Sequence, residues 1–252
     1  MSAPVVIIGG GLAGISAACH LAAKGFRVHL LEKSSRLGGR AQMGNRLTLG
    51  CCTSYLDLLD MLGTRHLVHM QRRMDIAVAY EGRLARLKAV ALPHPWAIAP
   101  SFLRYPFLSI SAKGAVCRAL LRIAQGAPPL ANETFAAWLQ RHRQSSHARR
   151  FFWELITAPT LNSPAETASA EFALLVFREA VLAGPHTATL GFIPYDGVRL
   201  LHPVNEFLAR RGSQVQLCAP VERITEGCEN SRFHVHLKNG EVLKASTIVA
   251  AV

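Results

Sequence analysis

Acid is what this sequence has least of. Sixteen Asp and Glu stand against 28 Lys and Arg in 252 residues, for a net charge of +12 and a pI near 10.0. Such an imbalance favours anionic partners, whether nucleic acid, anionic lipid or a phosphate-bearing cofactor. The basic residues are scattered, however, and no recognition motif accompanies them, so no nucleic-acid partner is expected. Their densest group, Arg141-His142-Arg143 through Arg149-Arg150, reads as the polar face of a helix. Also missing is any run of about 18 uninterrupted apolar residues, which argues against a membrane-spanning helix. None of the six cysteines (Cys19, Cys51, Cys52, Cys117, Cys218, Cys228) falls in a C-x-x-C pair. No metal site is therefore expected, and free thiols in a reducing cytosol are. No signal peptide separates Met1–Pro4 from the first apolar run, which points to a cytoplasmic location. Low-complexity tracts are absent and half the residues are apolar. A globular chain of one large or two small domains follows.

What is present begins at once. Val5-Val6-Ile7-Ile8 is a wholly apolar run, as in a central strand buried on both faces. Gly9, Gly11 and Gly14 then make G-x-G-x-x-G, with Gly10 in addition. The first glycine permits the strand-to-helix turn, the second lets a pyrophosphate approach bare backbone, and the third lets helix and strand pack. Ile15, Ala18, Cys19 and Ala22 recur at helical spacing, and Gly25 ends the helix. Val28 to Leu31 reads as a second strand. Glu32 sits at its end, 18 residues past Gly14, where a carboxylate accepts hydrogen bonds from a ribose hydroxyl.

The residues after Glu32 select the cofactor. Arg36-Leu37-Gly38-Gly39-Arg40 adds a second glycine pair, which a nicotinamide-binding unit does not need. A larger cofactor extended across the domain does, with Gly38 and Gly39 allowing close approach and Arg36 and Arg40 offsetting phosphate charge. The two motifs together resemble the flavoprotein amine oxidase and phytoene desaturase superfamily, whose members bind FAD in this way. FAD is the expected cofactor. The resemblance implies Gly9, Gly11, Leu12, Ala13, Gly14, Glu32, Lys33, Arg36, Gly38, Gly39, Arg40 and Val221 as its contacts, Val221 through its backbone at the adenine.

Further along, Tyr55 to Leu62 reads as a helix stopped by Gly63, and Arg73 to Leu87 as a β-hairpin turning at Glu81-Gly82. Leu92 to Pro106 is broken by Pro93, Pro95, Pro100 and Pro106, yet is apolar and aromatic through Trp96, Phe102, Tyr105 and Phe107. It reads as a lid or core segment or, with the basic helix that follows, as a membrane-contacting patch over residues 92–122. Such a patch would put the protein at the inner face of the cytoplasmic membrane. Thr134 or Asn132 caps a helix from Phe135. Phe151–Ile156 and Ala168–Leu182 are helical, and Ala158–Pro164 between them is a loop. The tail returns to strands at Val215–Leu217, Val221–Thr225, Phe233–Leu237 and Val242–Leu243, with an Asn239-Gly240 turn. Ser246 to Val252 reads as a further buried strand, and the resemblance implies a chain truncated there. The expected architecture is α/β. Residues 1–72 and 205–252 form a Rossmann-like, glutathione-reductase-type FAD-binding domain, and 73–204 an inserted, mostly helical substrate domain.

Beyond the cofactor motifs the chain resembles the squalene-associated FAD-dependent enzymes of hopanoid biosynthesis, the hydroxysqualene dehydroxylases. The resemblance is carried by Leu49-Gly50-Cys51, Trp138-Leu139 with Arg141-His142, Phe152-Trp153-Glu154-Leu155, Leu161-Asn162-Ser163-Pro164, Thr167-Ala168-Ser169-Ala170 and Pro220-Val221-Glu222-Arg223-Ile224. It implies reductive dehydroxylation of a C30 isoprenoid to squalene. Carotenoid or phytoene desaturation, amine oxidation and a truncated, non-catalytic FAD-binding remnant are the alternatives. Relatives carry an Asp-Asn-Gly-Gln-His run where this chain has Met43-Gly44-Asn45-Arg46. No catalytic acid, base or nucleophile is identifiable. His94, His186 and His202 read as surface or hydrogen-bonded loop residues, and in flavin hydride transfer the cofactor carries the chemistry.

Overall fold

The computed structural model describes residues 3–43, 47–194, 197–227 and 232–252. Met43 belongs to a short 3-10 turn, Gly39–Met43, while Gly44, Asn45, Arg46 and Cys228 lie outside the described residues. Two compact units form. One comprises Met1–Thr48, Thr53–His69 and Phe192–Val252, the other Leu49–Cys52 and Met70–Gly191.

The first unit is built on a four-stranded parallel sheet. Strand β1 (Val5–Ile8) lies between Thr247–Ala250 and β2 (Val28–Leu31), and Gln214–Gln216 pairs with the far side of β2. Because side chains alternate along a strand, Val5 and Ile7 join Val28 and Leu30 against helix α1 (Leu12–Ala23) and the helix Val204–Ala209. Val6 and Leu31 face the other way, toward Val235, Leu237 and Ala245 of an antiparallel sheet formed by Val221–Glu226, Phe233–Leu237 and Val242–Ala245. With both faces covered, an unbroken apolar run is what β1 requires. Thr247–Ala250 differs from the expected buried strand. It is the sheet's edge among the described residues, with Thr247 and Ala250 exposed and Ile248 and Val249 half-buried. Leu201 and Val204 also belong to the α1 core, and the Thr64 hydroxyl donates to the Leu200 carbonyl at 3.0 Å. The segment from Phe192 thus folds with the first unit, whereas the sequence reading placed that return at residue 205.

The second unit pairs a hairpin, Asp75–Tyr80 with Arg83–Lys88, with helices that include Ala99–Arg104, Ile110–Ala124, Phe135–Arg141, Glu154–Leu161 and Ala170–Val176. Its core is aromatic: Phe135, Trp138, Phe152, Trp153 and Phe177 lie with ring centroids 4.7–6.3 Å apart. Two buried aromatic polar tips find partners, Tyr105 Oη donating to the Phe151 carbonyl at 3.0 Å and Trp153 Nε1 to Gln144 Oε1 at 2.9 Å. Thr134 caps its helix, Oγ1 accepting from the Ala137 amide at 3.2 Å.

Two expectations are corrected here. Ala158–Pro164 is not a loop throughout: the helix runs to Leu161 with Pro159 inside it, and Asn162 ends it in the left-handed region. The Thr157 and Thr160 hydroxyls donate back to the Trp153 and Ile156 carbonyls, supplying side-chain donors around the proline that lacks one. Second, the basic group from Arg141 to Arg150 is not one helical face. The chain leaves the helix at His142, turns at Arg143 with φ +54, and starts a new helix at Ser146. Arg141 makes a two-pronged pair with Glu133 at 2.9 and 2.7 Å, and Arg149 pairs with Glu154 and Glu166. In the proline-rich stretch, Phe102, Tyr105, Phe107 and Leu108 are core residues, as the core-segment reading expects, Phe102 meeting Phe152 edge-on at 5.6 Å. The proline-rich stretch therefore sends its aromatic side chains inward, Trp96 excepted.

Candidate functional site

The site is built on backbone. Gly9 leaves β1 with φ +108, a conformation nearly closed to residues with a Cβ, and its amide donates to the Leu31 carbonyl at 2.8 Å. A Cβ there would also overlap the Ala251 carbonyl oxygen. At Gly14 an added Cβ would run into the Gly9 carbonyl oxygen, so the turn and the first turn of α1 close on each other only through hydrogen. Gly11 is the contrast: a Cβ there meets nothing within 4 Å. It faces open space.

Gly11 is also the N-cap of α1. No side chain caps the helix, and no acidic residue occupies its first turn. The first amides of a helix have no intrahelical partner and sit at the positive end of its dipole, so this end suits an anion. Leu12 is half-buried and Ala13 exposed beside it.

Glu32 closes the other side. Its main chain is fixed at both ends, the amide donating to the Gln216 carbonyl and the carbonyl accepting from Ala219, each at 2.9 Å. The residue as a whole is 8% exposed. Oε2 accepts from the Gly10 amide at 2.6 Å and Oε1 from the Ser34 amide at 2.8 Å. Burial pushes this carboxyl up, but the Ser34 and Gly10 amides, with the Lys33 charge, outweigh it and hold it below its ordinary value. The structure assigns the carboxylate a role that the sequence reading missed, as the clamp on the glycine loop. Each oxygen keeps capacity for a further donor, so a hydroxyl partner is compatible with it.

Gly10 was the glycine without a role. A Cβ on it would lie 2.6 Å from Leu37 Cδ2 and 2.9 Å from Glu32 Oε2, so the clamp itself requires glycine there. The only sequence signal for this was the extra glycine inside the motif. The second glycine pair lies directly on the first loop. The Gly38 amide donates to the Gly10 carbonyl at 2.7 Å, Gly11 and Gly38 form a parallel bridge, and an added Cβ on Gly39 would be 3.3 Å from Gly11 Cα. Arg36, Arg40 and Lys33 are exposed around this double loop. The Cys218 amide bonds the Ser34 carbonyl, which brings the tail past the same corner and places Val221 two residues beyond the Ala219–Glu32 contact. One cradle therefore gathers Gly9, Gly11, Gly14, Glu32, Gly38 and Gly39.

The three loop histidines have only local surroundings. His94 Nε2 lies 3.2 Å from the Val181 carbonyl, the His186 carbonyl accepts from the Thr189 hydroxyl at 2.6 Å, and His202 is exposed. Among the described residues no group of His, Cys, Asp and Glu could hold a metal ion.

The cradle fits the adenosine diphosphate portion of a dinucleotide: an uncapped helix end, a glycine with open space over it and a clamped acid at the end of the second strand. Comparison with known proteins is consistent with that geometry. A 37-residue stretch is 60% identical to a carotenoid 3,4-desaturase of Haloarcula japonica, covering 15% of this chain and 8% of that protein. An oxidoreductase from Methanosarcina mazei superposes over 98% of this chain with TM-score 0.70 and 12% identity. Cyclohexylamine oxidase from Brevibacterium oxydans covers 100% of it with TM-score 0.61 and 24% identity. This chain spans 58% of the length of each of those two solved proteins. The family model for flavin containing amine oxidoreductase matches residues 12–252, so the chain belongs to that family, whose cofactor is FAD.

Proposed function

We propose that the protein is an FAD-dependent oxidoreductase acting on a C30 isoprenoid, converting hydroxysqualene to squalene by reductive dehydroxylation. In this reading the first-turn amides of α1, with Gly11, Leu12 and Ala13, receive the pyrophosphate. Arg36 and Arg40 offset its charge, and Lys33 lies on the same exposed edge. Glu32 holds the glycine loop in shape and accepts from a ribose hydroxyl with its remaining capacity. Gly9, Gly14, Gly38 and Gly39 keep side chains out of the cradle, and Val221 meets the adenine through its backbone. Bound FAD in its reduced form supplies the hydride that replaces the hydroxyl, which leaves with a proton as water.

One observation carries the substrate reading. Residues on which the dehydroxylase resemblance rests gather in a single packed core: Trp138, Leu139, Phe152, Trp153, Ala168 and Ala170 are all buried in the aromatic cluster of the second unit. Motifs scattered over some thirty positions of sequence thus describe one structural object. Carotenoid desaturation is the second reading, supported by the short match to the Haloarcula protein. Amine oxidation rests on the fold likeness to cyclohexylamine oxidase.

The experiment is a single-turnover assay with the flavin-loaded, anaerobically reduced protein, offered hydroxysqualene and phytoene separately. Squalene appears from the first and nothing from the second if the proposal holds. A reaction with phytoene (offered to the oxidised protein as well) and none with hydroxysqualene overturns it in favour of desaturation. A protein that binds no FAD is the non-catalytic remnant.

A further inference from the structure

Between Glu81 and Glu133 the chain carries no acidic residue at all, yet it has seven basic ones: Arg83, Arg86, Lys88, Arg104, Lys113, Arg118 and Arg122. The stretch folds within the second unit and exposes its charge beside bare apolar side chains. On the return strand Arg83–Lys88, Ala85 and Leu87 point inward, so Leu84, Arg86 and Lys88 share the outward face. Arg86 is partly engaged, 3.5 Å from Asp75. Against this strand lies the helix Ala99–Arg104, held by the Ser101 hydroxyl, which donates to the Lys88 carbonyl at 2.8 Å and accepts from its amide at 2.9 Å. Strand and helix leave a cleft of about 430 Å³ lined by Leu84, Lys88, Val90 and Arg104 among others.

Exposed apolar side chains lie on these elements and on the segments that flank them in sequence. Leu84 and Leu103 are each 69% exposed, Trp96 67% and Ile110 89%. Lys113, one turn after Ile110 on the next helix, donates from Nζ to the Leu103 carbonyl at 2.7 Å and so ties the two helices together. The Val90 amide donates to the Ala97 carbonyl at 2.8 Å and brings the Trp96 loop to the end of the strand. Large apolar residues interleaved with cations, on a stretch with no acidic residue of its own, match a surface that is anionic outside and apolar just beneath. A nucleic acid or an acidic protein surface accounts for the cations but leaves the exposed Trp96, Leu103 and Ile110 unexplained.

We propose that this face docks onto a bilayer bearing anionic phospholipid. Trp96, Leu84, Leu103 and Ile110 enter the headgroup–acyl boundary, and Lys88 and Arg104 bind phosphate at the mouth of the cleft. The proposal requires nothing of the substrate assignment, and its test reads no turnover.

The test is co-sedimentation of the full chain with vesicles of equal parts phosphatidylcholine and phosphatidylglycerol, against vesicles of phosphatidylcholine alone. Tryptophan emission reports the geometry, because Trp138 and Trp153 are buried and Trp96 is the exposed one. Binding to the anionic vesicles with a blue shift, absent in Trp96→Phe, is the expected result. Lys88→Glu with Arg104→Glu should weaken partitioning at least about twentyfold. Leu103→Ser with Ile110→Ser should weaken it with the melting temperature unchanged. Equal binding to both vesicle types, no shift on binding, or full binding by the charge-reversed variant overturns the proposal. So does a DNA duplex bound as tightly as the anionic vesicles.

Discussion

The glycine cradle and the aromatic core answer opposite demands. Around Gly9–Gly39 the structure works because side chains are missing: backbone lies on backbone, and one buried carboxylate holds the loop. Around Trp153 it works because four further rings meet the indole edge to face and fill the volume around it. The first is specified by exclusion and tolerates almost no added atom. The second is specified by filling and tolerates almost no lost one. A site that must admit a rigid anionic ligand is made by the first means, and a stable helical unit by the second.

Removing atoms from the filled region should give the largest effect. Trp153→Ala deletes a fully buried indole and is expected to cost about 3–5 kcal/mol. For a chain of this length that lowers the melting temperature by about 10 °C. Calorimetry checks it, and a drop no larger than that of an exposed-site control such as Leu121→Ala would break the contrast. Adding an atom to the excluded region comes next. Gly14→Ala forces a methyl into the Gly9 carbonyl and should cost about 1–3 kcal/mol. Flavin retention should fall with it, since the turn and α1 must separate. Wild-type melting with full flavin content would show that the close approach is not needed.

The smallest effect sharpens the comparison inside the first unit, where His29 is a buried polar group on β2. Burial lowers its pKa below 6.5, against smaller opposing contributions from Gln216 and Glu241. Its ring Nδ1 lies 3.1 Å from Gln214 Nε2. The unfolded chain therefore takes up a proton near pH 6.5 that the folded chain refuses until lower pH. Stability from this residue is complete above 6.5 and declines as pH falls below it. The acid-side decline in melting temperature should flatten in His29→Asn. Parallel profiles for the two proteins would remove His29 from the account.

The two regions were also unequally legible. Backbone geometry speaks through glycine, so β1, the turn, α1, β2 and Glu32 follow from spacing alone. What spacing did not reveal is that Glu32 clamps Gly10, and that Gly38 and Gly39 lie on the Gly9–Gly11 loop as well as next to a ligand. Those are contacts between segments distant in sequence, and a motif lists positions without their neighbours. In the second unit, helices with clean apolar periods and caps, such as the one Thr134 begins, were readable. Pro159 was read as a break, but helical context and threonine hydroxyls carried the chain past it. Proline-rich Leu92–Pro106 reads equally as a lid or core segment or as a membrane patch, because only packing decides that Phe102 turns inward and Trp96 outward. The basic run at 141–150 misled for a related reason, since the acids that pair with it, Glu133 and Glu166, lie elsewhere in the sequence.

The central claim is that the open space over Gly11 is where FAD lies. Gly11→Val tests it most directly, because a Cβ added there meets no protein atom within 4 Å. The account predicts a folded protein whose circular dichroism matches the wild type, with a melting temperature within a few degrees of it. By fluorescence titration it should bind FAD at least about a hundredfold more weakly, the cost of displacing a charge-assisted pyrophosphate contact. Wild-type FAD affinity in a folded Gly11→Val protein would contradict it.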